Sequence, residues 1–369
     1  MAGRIVLFGA TGYTGQLTAE ALVRRGARPV LAARNAARLA ELAGHLGGNL
    51  DVAVADVSRP ETVGALVTEG DVLVATVGPF VKWGGPAAEA AVAAGAHYID
   101  STGEPPFIRQ VFERYGPRAA KTGSGMLTAF GYDWVPGNLA GALALREAGA
   151  AAVRVDTGYF LTGKTDAGGM SGGTRASLAG VVAEPSFAWR DGALRSERGA
   201  ARVRSFKLRG GKDRPAVAVG SSEHFALPRI HPGLHEVNSY LGWFGPLSRP
   251  MQAVSLAGSA AFRVPAARRA YGALTDRFVK GSTGGPDAAE RGRAGSHVVG
   301  AAYDSAGRQL AEVHLSGVDG YSFTGEILAW GAERAAAGEL MGSGALGPVE
   351  AFGIDALEAG CAEAGIARI

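Results

Sequence analysis

An apolar run, Ile5-Val6-Leu7-Phe8, passes directly into Gly9-Ala10-Thr11-Gly12-Tyr13-Thr14-Gly15, and this order of strand, glycine turn and helix start restricts the fold more than any other feature. The glycines recur every third residue, a GxxGxxG relative of the GxGxxG dinucleotide fingerprint. Gly9 permits the tight turn, Gly12 bares the backbone to a pyrophosphate, and Gly15 lets the helix pack closely on the strand. Thr11, Tyr13 and Thr14 share that turn and are expected to line the cofactor. The helix expected from roughly Tyr13 to Arg25 carries Leu17, Ala21 and Leu22 on one face and stops at Gly26.

The first 145 or so residues alternate short apolar runs with helical patterns, the sequence form of a parallel sheet covered by helices. Strands are expected at Arg4–Phe8, Pro29–Ala33, Asp51–Ala55, Val72–Thr76, His97–Ile99 and Met126–Ala129. Right-handed crossovers then give a doubly wound α/β sheet of the Rossmann type, with its crevice at the carboxyl ends of the strands. From about Ala151 the alternation is lost, and strand-like stretches such as Val153–Leu161, Leu234–Gly242, Ser296–Tyr303 and Gln309–Ser316 point to a second, α+β domain with a mixed sheet. The expected division is residues 1–150 for dinucleotide binding and 151–344 for substrate and dimerisation. A late helix (Tyr321 to Ala337) precedes a closing one (Pro348 to Ala364), and the segment 345–369 is expected to return to the first domain. An apolar helical stretch between Leu247 and Val279 reads as a core or dimer face, or as a contact for lipid or a long acyl chain.

No uninterrupted apolar stretch in the 369 residues reaches the eighteen or so that span a bilayer, and the chain runs straight into its first strand without a signal-peptide pattern. A cytoplasmic protein is expected. The single cysteine, Cys361, excludes an internal disulfide framework and a cysteine-rich zinc site. His231 and His235 are separated by Pro232 and Gly233, which break a helical metal-ligand spacing, so no metal site is expected. A net charge of +3 carries no general nucleic-acid footprint. Arg190, Arg195, Arg198, Arg202, Arg204, Lys207, Arg209, Lys212 and Arg214 nevertheless crowd one segment, either as solvated strands and turns or as a face for an acidic partner.

An acid commonly ends the second strand of NAD-preferring folds, about twenty residues after the glycines. Here that place holds Arg34, whose guanidinium suits the 2′-phosphate of NADP(H). Asp56, ending the third strand, either meets the adenine edge or caps the next turn. Val77-Gly78-Pro79-Phe80 follows the fourth strand, where the nicotinamide half lies. Gly78 allows close approach there and Pro79 stiffens the loop.

The glycine loop, Val77-Gly78-Pro79-Phe80, Ala96-His97-Tyr98-Ile99-Asp100-Ser101-Thr102-Gly103-Glu104, Gly131-Tyr132-Asp133-Trp134-Val135-Pro136-Gly137-Asn138-Leu139 and Ser171-Gly172-Gly173-Thr174 together resemble the saccharopine dehydrogenase-like oxidoreductases. The likeness is to the branch that includes trans-acting enoyl reductases of bacterial lipid and polyketide pathways. Gly285-Pro286-Asp287 with Glu290-Arg291, and Asp319-Gly320-Tyr321, are similar to the same branch. The resemblance implies an NADP(H)-binding first domain, an acyl substrate that is free or borne on a carrier protein, and a homodimer. It leaves reduction of a carbon–carbon double bond beside reduction of an imine, and a non-catalytic cofactor-binding scaffold touching lipid or a partner as a third reading.

For an unsaturated thioester, hydride goes to the β-carbon while one donor stabilises the enolate oxygen and another protonates the α-carbon. Tyr132, Asp133 and Lys82 follow expected strand ends and are the candidates, with Gly131 and Pro136 fixing a turn around the first two. Tyr132 reads equally as a wall, Asp133 as a helix cap and Lys82 as a surface residue. Glu104, Trp134, Ser171 and Thr174 are the expected substrate contacts; Glu104 reads besides as a group that orients the cofactor ribose or acts as an acid, and Glu104 and Ser171 also read as caps. Ser171-Gly172-Gly173-Thr174 could present backbone N–H groups to an enolate oxygen.

Overall fold

A computed structural model describes residues 3–163, 185–209, 211, 213–261 and 284–369. The chain divides into two compact units: Met1–Gly103, Phe107–Val135 and Gly320–Gly365 form the first, and Glu104–Pro106, Pro136–Asp319 and Ile366–Ile369 the second.

In the first unit, β1 (Ile5–Phe8), β2 (Val30–Ala33), β3 (Val52–Val54), β4 (Val72–Ala75), β5 (His97–Asp100) and β6 (Gly125–Leu127) are joined by the two-residue strand Gly344–Ala345. Among the described residues they make one seven-stranded sheet, in the order Gly344–Ala345, β6, β5, β4, β1, β2, β3. Every pairing is parallel. β1 and β4 are buried at every position, the continuous apolar pattern of strands covered on both faces. Chain order runs outward from β1 through β2 to β3 and then jumps back to β4 on the other side of β1. The switch point, and with it the ligand crevice, therefore lies at the carboxyl ends of β1 and β4. Strand ends differ from the expected ones by a residue or two, as hydrogen-bond patterns fray.

The second unit holds β7 (Arg154–Gly163), β8 (Pro185–Arg190), β9 (Ala193–Arg198), β10 (Val203–Lys207), β11 (Asp213–Val219), β12 (Glu236–Leu241), β13 (Ala294–Tyr303) and β14 (Gln309–Gly317), with Ile366–Arg368 on its edge. They form a mixed sheet, β10, β11, β12, β7, β13, β14 and Ile366–Arg368 in order, with β8 beside β12 and β9 beside β8. β12 runs parallel to β7, and β13 runs antiparallel to it over ten residue pairs.

The division differs from the expected break at residue 150. The helix Val135–Ala148 belongs to the second unit from Pro136, because it is apolar nearly all round: Leu139, Ala140, Ala142, Leu143, Ala144 and Leu145 are all buried. A Cβ on its Gly141 would stand 2.8 Å from Leu227, and one on Gly300 of β13 would stand 2.3 Å from the Ala140 carbonyl oxygen. The return to the first unit also starts earlier, at Gly320 rather than 345. The helix Gly320–Ala336 packs along the helix Tyr13–Arg24, where Gly325 lies so close to Leu17 that a Cβ would meet it at 3.0 Å. The expected closing helix is two, Pro348–Phe352 and Ile354–Glu363, broken at Gly353 with φ +77°.

Most of the arginine-rich segment is spent inside the second unit. Arg202 makes a two-pronged pair with Glu197, Arg190 pairs with Glu236, Arg204 pairs with Asp156, Arg198 holds the Ala200 and Gln252 carbonyls, and Arg214 holds that of Leu161. The sequence cluster is thus largely a set of internal ties. Of the apolar stretch after Leu247, the helix Ser248–Ala261 is described and its Val254 and Leu256 are exposed; positions 262–283, with Phe262, Val264, Tyr271, Leu274 and Phe278, lie outside the described residues. None of the described helices is long and apolar enough to cross a membrane.

Two glycines test this packing with opposite signs. Gly300→Ala should destabilise the protein by about 1–3 kcal/mol, because backbone blocks the new methyl. Gly44→Ala, in the helix Ala36–His45 with nothing within 4 Å, should stabilise it by about 0.5–1 kcal/mol. Urea unfolding midpoints measure both.

Candidate functional site

The glycine loop is shaped by backbone. The Gly9 and Ala10 N–H groups both donate to the Ala32 carbonyl, and Gly12 N–H donates to the Gly9 carbonyl. Gly9 has φ +93°, and a Cβ there would stand 2.6 Å from Thr76 Oγ1 at the end of β4. A Cβ on Gly15 would meet the Gly9 carbonyl oxygen at 2.2 Å. Gly12 is the N-cap of the helix Tyr13–Arg24; no side chain caps it and no acidic residue stands in its first turn. Bare backbone at a helix N-terminus at the switch point is what a pyrophosphate requires, so the residues present fit a dinucleotide. Thr11, Tyr13 and Thr14 are half-buried around it.

Arg34 is exposed at the carboxyl end of β2, just before Asn35, whose side chain accepts the Arg38 N–H and caps the next helix. Asp56 accepts the Ser58 N–H and hydroxyl, both at 2.9 Å, so its carboxylate serves the turn after β3. Those two bonds, with the Arg34 and Arg59 charges behind them, hold its carboxyl below the usual range. After β4, Val77, Gly78 and Pro79 are half-buried and the Gly78–Pro79 peptide bond is cis. Gly78 has room for a Cβ, with the Phe80 ring nearest at 3.4 Å, so packing does not demand glycine there. Phe80 departs from its expected place on the cofactor: its ring is buried against Phe107, at 5.6 Å between centroids.

The loop after β6 carries Tyr132 and Asp133, and a residue without an assigned role in the sequence reading, Asp100, builds it. Asp100 ends β5 fully buried. Its Oδ1 accepts the Thr102 and Ala129 N–H groups at 2.9 Å, its Oδ2 accepts the Thr128 hydroxyl at 2.8 Å, and its carbonyl accepts the Phe130 N–H at 2.7 Å. The loop continues with Trp134 N–H to the Ala129 carbonyl and Val135 N–H to the Gly131 carbonyl. Thr324 Oγ1, which donates to the Gly320 carbonyl, accepts the Tyr132 N–H at 3.0 Å. A lone aspartate closing an apolar strand reads as a turn residue, so the only available signal was its place beside Thr102 and Gly103.

Tyr132 is buried, with Phe323 edge-on to its ring at 6.5 Å and Gly320 so close that a Cβ would touch that ring at 2.9 Å. Asp133 is half-buried, and its Oδ2 lies 3.1 Å from where a Gly103 Cβ would stand, so Gly103 makes room for the carboxylate. Trp134, expected to touch substrate, is only 1% exposed, a core position its large apolar ring favours; its peptide bond with Asp133 is cis. Lys82 is exposed on the short helix Phe80–Trp83, its ammonium 5.1 Å from the centroid of the Trp83 ring, a surface placement. Glu104 is buried and belongs to the second unit, while Ser171 and Thr174 lie outside the described residues. His231 Nε2 is within hydrogen-bond distance of the Ala152 carbonyl, at 2.9 Å.

Desolvation raises the Asp100 carboxyl to about 6, against the pull of its hydrogen bonds. An unfolded carboxyl releases its proton near 3.8, so between those values the native state binds more protons and stability falls as pH rises through the window. Asp100→Asn should flatten that part of the pH–stability curve, measured by urea unfolding from pH 4 to pH 7 or so. Asp100→Ala, which strands buried donors, should cost about 2–4 kcal/mol throughout.

Residues 5–126 match the model of the saccharopine dehydrogenase NADP binding domain. A Mycobacterium tuberculosis protein provisionally named a trans-acting enoyl reductase is 42% identical over 190 residues, 49% of this chain and 45% of that protein. The trans-acting enoyl reductase of Mycobacterium bovis is 41% identical over 140 residues, 37% of this chain and 34% of that one. The match thus spans less than half the length of these curated relatives. Apo saccharopine dehydrogenase (L-Glu forming) from Saccharomyces cerevisiae superposes with a TM-score of 0.63 over 100% of this chain and 99% of its own, at 13% identity, a likeness of fold. With its glycine cradle and parallel sheet, the first domain of this chain is similar to the NADP-binding domains of the saccharopine dehydrogenase family over residues 5–126.

Proposed function

We propose that this chain is an NADPH-dependent reductase of an activated carbon–carbon double bond in an acyl substrate. One observation carries the reading: within a single unit, a backbone cradle that no side chain caps, at the carboxyl ends of β1 and β4, stands with the Tyr132–Asp133 turn that Asp100 locks at the end of β6. The names of the mycobacterial relatives support an enoyl rather than an imine acceptor, and they support an acyl chain presented by a partner synthase. A homodimer, contact of the exposed Val254 and Leu256 with an acyl chain or membrane surface, and a cytoplasmic location complete the proposal.

NADPH, when bound, supplies a hydride. Gly9 to Gly15 hold its pyrophosphate, Arg34 its 2′-phosphate, and Val77 to Pro79 border its nicotinamide half. Tyr132 closes the wall of the turn and offers its hydroxyl to the substrate carbonyl oxygen, on which negative charge grows as the β-carbon is reduced. Asp133 holds the proton that the α-carbon receives, in the space Gly103 leaves beside it.

NADPH carrying deuterium at the transferred position, offered with unsaturated acyl thioesters and preformed imines, tests the reaction by mass spectrometry. Label at a thioester β-carbon is expected; label at a carbon bearing nitrogen would replace this reading with imine reduction. Asp133→Asn should lower kcat about a hundredfold or more with NADPH affinity kept. Arg34→Ala should weaken NADPH binding by about tenfold or more and leave NADH binding nearly unchanged, as read by nicotinamide fluorescence titration.

A further inference from the structure

The helices Tyr13–Arg24 and Gly320–Ala336 are locked together at three levels with one constant offset in residue number. Tyr13 meets Tyr321, Leu17 meets Gly325, and Arg25 meets Glu333, each pair 308 residues apart. A constant offset means that the two helices run parallel and in step, so their first turns stand side by side. The fingerprint helix begins at the bare glycine loop, and the return helix therefore begins there too. At that end the Tyr13 and Tyr321 rings meet edge to face, with centroids 5.2 Å apart and planes at 86°, both half-buried. The same first turn of the return helix holds the other side of the first unit: Thr324 accepts the Tyr132 N–H, Phe323 lies edge-on to the Tyr132 ring, and Gly320 gives that ring room.

We infer that Gly320–Thr324 is a second wall of the NADP(H) site, in which the Tyr321 ring packs against the bound dinucleotide beside Tyr13. This rests on the cofactor assignment of the first domain. Tyr13 sits one residue past Gly12, where a pyrophosphate meets the helix, and the ring that touches Tyr13 comes within reach of the same ligand. An aromatic ring there excludes water from the phosphates at little entropic cost, since the rest of its helix is already fixed to Leu17 and Arg25. Thr324 lies one turn below Tyr321 and accepts the Tyr132 N–H, so the same turn joins this wall to the loop that carries Asp133.

NADPH binding by the full chain, followed by nicotinamide fluorescence, tests the inference without any substrate. Tyr321→Ala should weaken NADPH about five- to tenfold, and Tyr321→Phe, which keeps the ring, should stay within about twofold of the parent. Hydrogen exchange of the 320–325 amides in the parent should slow when NADPH is added. A parent that binds no NADPH overturns the cofactor assignment. A parent that binds, with Tyr321→Ala binding equally well or 320–325 exchange unchanged, leaves that assignment standing and overturns the second wall, reducing the ring pair to a staple between helices. Unaltered thermal unfolding of Tyr321→Ala, a half-buried site, separates lost affinity from lost fold.

Discussion

One desolvated carboxylate, Asp100, sets the geometry of the whole carboxyl edge around β5 and β6. Burying an ionised carboxylate costs several kcal/mol, and each hydrogen bond to a charged group returns roughly 1.5–3 kcal/mol. Two backbone N–H groups and a hydroxyl on its oxygens nearly balance that cost, which is why its carboxyl rises only to about 6. The balance fixes the loop: the two N–H donors belong to Thr102 and Ala129, so the turns after β5 and after β6 are tied to the same group. Phe130, held by the Asp100 carbonyl, stacks on Trp330 of the return helix at 6.5 Å, and the loop is thereby carried into the core.

The return helix gives this loop its second support. It comes back to the first unit after the chain has built the second, and its glycines mark where it must lie close: Gly320 on Tyr132, Gly325 on Leu17 and Gly331 on Phe130. A single rigid element thus spans the fingerprint helix and the Tyr132–Asp133 turn. The cofactor end and the proton-handling end of the proposed site have one common brace.

The parallel sheet was legible because its strands are short, mostly apolar and separated by helical patterns, so β1 through β6 fall within a residue or two of the expected places. The glycine loop was legible for the same local reason. What could not be read were the long-range choices. Trp134 and Phe80 follow strand ends, as ligand walls do, yet they turn inward, because a large ring beside a crevice packs equally well against protein. Asp56 was open between ligand and turn, and a serine two residues on engages its carboxylate. Asp100 and Thr324 carry no motif of their own: their importance comes from partners 28 to 192 residues away. The domain boundary moved to Pro136 because an all-apolar helix belongs to whichever core surrounds it, and sequence spacing does not name the core.

Amide hydrogen exchange, resolved peptide by peptide on the parent and on Asp100→Ala, tests most directly the claim that this carboxylate holds the loop. Faster exchange is expected across 128–135 in the variant, with the amides of β1 and of the helix Tyr13–Arg24 unchanged. Uniformly faster exchange through the first unit, or protection of 128–135 equal to the parent's, would contradict it.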